Sequence, residues 1–197
     1  MNRLLILPVL LLTLLVGNPA SSADFQKGLA AYDSGDYATA LREWTPLAEQ
    51  GNVGAQYSLG VMYRDGQGAP KDGKIAVKLL KLAAEQGHSD AQYNLGVMYR
   101  DGQGVPRDHR TAVKWLKLAA EQGDADAQLN LGLMYGEGAG VIQDNVYAHM
   151  WGNIAASNGN ENGGKLRDLA AKQMTPADIS AAQTLARECV AKNYKGC

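Results

Sequence analysis

Few residues in this 197-residue chain have the types and spacing that chemistry needs. Gly159, Gly164 and Lys165, in "GNENGGKL", fit the G-x4-G-K pattern of a phosphate-cradling loop. The next residue is Leu166, where such a loop needs Ser or Thr to hold magnesium, and the stretch follows a helical pattern where a strand is required. It reads as a helix-to-helix turn. His88, His109 and His149 form no metal-ligand spacing and are expected at the surface. Asp101 and Asp108 flank a glycine-rich loop that lacks the alternating oxygen ligands of a calcium site. No Ser-x-x-Lys occurs, which argues against the penicillin-recognising serine enzymes. Cys189 and Cys197 remain. Their spacing is not C-x-x-C. Two cysteines in an exported chain suggest one disulfide, with free thiols or an intermolecular bond as alternatives. No catalytic residue, metal ligand or cofactor site is assigned, and the chain is expected not to be an enzyme.

Export is itself an expectation from the sequence. Residues 1–23 read "MNRLLILPVLLLTLLVGNPASSA": Arg3, an apolar run from Leu4 to Val16, then small residues. This is the anatomy of a secretory signal peptide cut before Asp24. Its apolar run is too short to cross about 30 Å of hydrocarbon, so no membrane span is expected after cleavage. Cleavage removes Arg3 and no acid, leaving 18 basic and 20 acidic residues. The two signs are interspersed, and no basic stripe points to nucleic acid. The expected location is periplasmic or secreted, and the expected state is a monomer.

The elements that carry these residues are written more than once. Residues 91–123 and the segment 36 residues earlier agree at 26 of 33 positions. The register runs further. Asp36, Asp72, Asp108 and Asp144 fall 36 apart, as do Gly51, Gly87, Gly123 and Gly159. Such a period is the mark of a repeat architecture. Each unit reads as a helix A (about Ala91 to Asp101), a "GQGVPR" breaker, and a helix B to about Gln122. Asp108 is placed to cap helix B and Gly123 to end it. Helix B is apolar on two sides, as stacking between neighbours requires. Mid-helix Gly60, Gly96 and Gly132 each cost about 1 kcal/mol against alanine, so a side chain there would obstruct close packing. "TPADISAAQTLAREC" begins a terminal helix, with Thr175 as N-cap, Pro176 at N1 and Asp178 completing a capping box. The fold expected is all-α: an α-solenoid of stacked antiparallel helix pairs with a 36-residue repeat and a C-terminal capping pair. Its units fall at about 24–54, 55–90, 91–126 and 127–162, with the cap at 163–197.

At Ala91, Leu95, Gly96, Tyr99, Gly102, Gly104, Val105, Asp108, Ala112, Trp115, Ala119, Ala120 and Gly123 the chain resembles the Sel-one-like repeat family, relatives of tetratricopeptide repeats. The resemblance implies an adaptor that binds an unidentified protein or peptide. Some cysteine-rich relatives are linked to β-lactam binding, which makes a cell-wall-associated (peptidoglycan- or β-lactam-binding) enzyme or module the alternative. Those relatives carry cysteines inside their repeats, and this chain does not.

At 100° per residue, with Ala91, Leu95 and Met98 facing the unit's own helix B, Tyr93, Val97 and Arg100 point the opposite way. Their register mates are Tyr57, Val61 and Arg64, then Leu129, Leu133 and Gly136. By analogy with tetratricopeptide arrays, helix A lines the concave side. The expected groove therefore carries Tyr57, Val61, Arg64, Tyr93, Val97, Arg100 and Leu129, with Ser58, Asn94 and Asn130 beside them to bond a peptide backbone. Tyr and Arg are enriched at binding hot spots. The competing reading is that Tyr93 and Val97 only pack against neighbouring A helices.

Overall fold

The computed structural model describes residues 23–197. The signal-peptide reading concerns residues that lie, except for Ala23, outside that range. The described residues form α1 (Phe25–Asp33), α2 (Tyr37–Glu49), α3 (Val53–Asp65), α4 (Gly73–Glu85), α5 (Ser89–Asp101), α6 (His109–Ala120), α7 (Ala125–Glu137), α8 (Asn145–Ser157), α9 (Gly163–Ala171) and α10 (Pro176–Ala191). No strand occurs among them. Each helix packs on its sequence neighbours in α1 to α9, and α10 folds back onto α8.

One set of local devices starts and stops the repeated helices. Asp36, Asp72, Asp108 and Asp144 all cap B helices through backbone N–H groups of the first turn. Helix A of the third unit starts two residues before the expected Ala91, because the His88 ring accepts from the Ala91 N–H. Asn52 and Asp124 cap α3 and α7 from the same register position. Helix B of that unit closes at Ala120, two residues short of Gln122, and Gly123 follows at φ +90°.

The core runs along the A–B seams. Ala91, Leu95 and Met98, expected to face their own helix B, are buried against Ala76, Leu80, Ala83 and Ala84 of α4, the helix B of the preceding unit, because successive units stack there. A Cβ on Gly60 would lie 2.8 Å from Leu80 Cγ, and one on Gly96 would lie 2.7 Å from Leu116 Cγ. Both are closer than packed carbons tolerate, so these glycines let helix A sit on the leucines of helix B. At the next repeat the leucine register position holds Gly152, and Leu166 of α9 fills the space against Gly132 instead. Gly152 and Gly163 then bring α9 into backbone contact with α8: a Cβ on Gly163 would lie 2.4 Å from Ala156 N.

Two further features tie the stack together. Gln56, Gln92 and Gln128 are buried and donate to the carbonyls of Ala48, Ala84 and Ala120 in the preceding unit. Each also accepts, from Gln86, Gln122 and Asn158 respectively. The Tyr194 hydroxyl ends this series by donating to Asn158. The second glycine of each breaker also packs on the start of the previous B helix. A Cβ on Gly104 (φ +74°) would lie 2.2 Å from the carbonyl carbon of Gly73.

The C-terminus is a hook. Helix α10 ends at Ala191, and Asn193, Tyr194 and Gly196 take positive φ. This turn places the cysteine sulfurs at bonding distance, with Cα atoms 5.7 Å apart. Thr175 and Asp178 form the expected capping box. A bond closing so short a loop is worth roughly 2.5 kcal/mol in the chain-entropy account. Reduction is expected to lower the melting temperature by about 5 °C while far-ultraviolet dichroism stays helical. An unchanged melting temperature would show that the hook stands without it.

His149 departs from its expected place at the surface. It is only 3% exposed in α8, and its Nδ1 has no hydrogen-bond partner. Burial, then the charge of Arg167, hold its pKa below the ordinary value, with Asp168 opposing. The unfolded chain, with a histidine near pKa 6.5, therefore takes the proton first. Stability present above about pH 6.5 is expected to be lost as pH falls through the lower folded value. Denaturant melts at pH 7 and pH 5 check this. A slope that persists unchanged in His149→Asn would assign it to another group.

Candidate binding groove

The outward face of the A helices has a fixed chemistry because the register is fixed. Val61, Val97, Leu133 and Leu169 lie 36 residues apart, on α3, α5, α7 and α9. Val61 and Val97 are half-buried, Leu133 is 36% exposed and Leu169 is 55% exposed. The two valines belong to none of the buried clusters. Leu129 is half-buried on α7 and Asn130 is buried.

The tyrosines divide their contacts differently. Tyr57 packs on the α4–α5 cluster and stacks on His88, with ring centroids 4.4 Å apart. Tyr93 packs on the next cluster along. Burial, then Asp90, push the Tyr57 hydroxyl pKa up, and burial with Asp126 and Asp124 does the same for Tyr93. Both rings are thus partly consumed by unit-to-unit packing, and the aliphatic stripe is not.

The arginines are engaged as well. Arg64 makes a paired contact with Asp65, at 2.7 and 2.8 Å, and donates to Asn94 of the next unit. Arg100 pairs with Asp101 at 2.7 and 3.1 Å and donates to Asn130. The hydrogen bond to aspartate is the largest cause raising the pKa of each arginine. Asn130 also donates to the Asp126 carbonyl at 2.8 Å. The amide oxygens of Asn94 and Asn130, expected to meet a peptide, therefore serve a ladder between A helices. Ser58 sits half-buried beside it on α3.

Sequence reasoning missed the buried glutamines and this ladder. The glutamines repeat at 36 residues, which was a visible signal, but a polar residue in register does not announce its depth. The ladder joins residues 30 apart, because the chain pairs the last turn of one A helix with the second turn of the next.

Among the described residues no group of three or more His, Cys, Asp or Glu could hold a metal ion. No helix there is long and apolar enough to cross a membrane.

Stacked helix pairs with an ordered, open stripe of side chains define a repeat-built interaction scaffold. The Sel1 repeat family matches residues 53–88, 89–124 and 125–160, and the chain belongs to that family, whose repeats are generally protein-interaction modules. Among solved structures it is similar to a Sel1 repeat protein from Oxalobacter formigenes, 28% identical with a TM-score of 0.66. That match covers 84% of this chain and 75% of the other. It is also similar to c5321, a protective antigen of uropathogenic Escherichia coli strains displaying an SLR fold, 28% identical with a TM-score of 0.61. There the match covers 86% of this chain and only 45% of the antigen, so this chain spans less than half of that protein's length. A comparison with curated proteins found no match.

Proposed function

We propose that the protein is an exported, non-catalytic scaffold that binds a protein or peptide along the A-helix face. The observation that carries this reading is the aliphatic stripe Val61, Val97, Leu133 and Leu169. It recurs in every unit from α3 to α9, and its two valines serve no buried cluster. Apolar side chains held in line on rigid helices, flanked by satisfied polar groups, are how repeat scaffolds present a binding surface. Export is supported by the pattern of residues 1–23 and by a cysteine pair placed to bond, as oxidising compartments favour. A protective antigen among the structural neighbours fits the same setting.

The test is a photo-crosslinking side chain placed at Val97 in intact cells, compared with one at Lys114 on helix B. A discrete adduct from position 97 and none from 114 is the expected result. Adducts from 114 alone would move the binding face to the B helices.

A further inference from the structure

The inter-helix ladder stops one unit before the stack does. In the second and third units, the space between successive A helices takes the chain's own arginine. Arg64 and Arg100 lie there with the following aspartate at one end and the next unit's asparagine at the other. In the fourth unit the arginine position is Gly136, and the asparagine position is Leu166. The carboxylate position survives as Glu137, which is exposed, makes no side-chain ion pair among the described residues, and acts on Arg100 only at longer range. Where the arginine would run there is a cleft of about 120 Å³ between α7, α8 and α9. Leu133, Ala148, Leu166 and Leu169 line it, with Glu137 and Gln173 at its edge.

We propose that this cleft receives an arginine side chain from the bound peptide, in the place that Arg64 and Arg100 fill in the preceding units. The inference rests on the groove reading and names the chemistry that the groove selects. Three observations point to a cation with an aliphatic stem. Leu133, Ala148, Leu166 and Leu169 give the cleft an apolar side for such a stem, and Glu137, Asn145 and Gln173 give it a polar one. The one carboxylate at the edge lacks the partner that its register mates Asp65 and Asp101 have. The volume is far below that of pockets built for whole small molecules, which run about 300–1,000 Å³, and suits one long side chain. A planar guanidinium is also the group that pairs best with a carboxylate.

The proposal is tested with small probes on the full mature chain, followed by methyl resonances of Leu133, Leu166 and Leu169. Nα-acetyl-arginine methylamide is expected to shift these three with a dissociation constant on the order of a millimolar. The neutral isostere, Nα-acetyl-citrulline methylamide, is expected to bind about tenfold more weakly, and Glu137→Gln to erase that difference. Gly136→Arg is expected to abolish probe binding while keeping the fold. A Cβ on Gly136 meets only Ala148 Cβ, at an ordinary 3.5 Å, and the variant restores the arginine that the two preceding units carry at this position. Equal binding of the two probes, no localised shift, or binding that survives Gly136→Arg would overturn the proposal. If the arginine probe fails while crosslinking at position 97 persists, the cleft assignment falls alone; if position 97 also captures nothing, the groove reading falls with it.

Discussion

Gly104→Ala should unfold the stack at a temperature about 10 °C below the parent chain. Two costs combine. Gly104 sits at φ +74°, where a side chain costs about 1–2 kcal/mol. A Cβ there would also lie 2.2 Å from the carbonyl carbon and oxygen of Gly73, which are backbone atoms that cannot rotate away. Overpacking of this kind costs about 1–3 kcal/mol, and each kcal/mol moves the melting point by roughly 2–4 °C at this chain length. Gly87→Ala separates the two. Gly87 has φ +90° and nothing within 4 Å of a Cβ, so only the conformational cost applies. Melting curves for both variants settle the matter. An equal loss would mean that the loop-to-helix contact contributes nothing.

Val97→Asp combined with Leu133→Asp should weaken partner binding by at least about 100-fold without unfolding the protein. Both positions lie on the open stripe, and a charge buried against an apolar partner surface has no compensation. Truncating a hot-spot residue costs about 2 kcal/mol or more, and each 1.4 kcal/mol is tenfold in affinity. Val97 belongs to no buried cluster and Leu133 is 36% exposed, so the folded state should tolerate the change. Titration calorimetry against the crosslinked partner, with dichroism as the control for folding, gives the answer. Undiminished affinity in a folded double variant would move the site away from this face. Tyr93 and Arg100 are poorer choices, because the ring packs on the next cluster and the guanidinium bridges to Asn130.

Much of the architecture was legible because it was written repeatedly. Asp36, Asp72, Asp108 and Asp144 announced the start of every B helix, and Gly60 and Gly96 announced close packing; the structure places all of them accordingly. The starts of the A helices were harder to read. The caps there are Asn52, His88 and Asp124, three chemistries at one register position, and a histidine cap is unusual enough to pass unnoticed. Burial was the least legible property. Gln92 and His149 are polar, and nothing local distinguishes them from solvated residues. Their depth comes from the approach of a neighbouring unit, and for His149 from the Gly152–Gly163 contact that draws α9 onto α8. The expected groove residues Tyr57, Tyr93, Arg64 and Arg100 turn out to have partners in neighbouring units. Their division into engaged and open side chains required the partners 30 residues away, which no single helix reveals.

Hydrogen exchange on the described chain, with and without its crosslink-identified partner, reads the binding face directly. Slowed exchange is expected in α3, α5 and α7, strongest over 93–101 and 129–137, with α4 and α6 unchanged. Protection confined to α4, α6 or α10, with the A helices exchanging as in the free protein, would contradict it.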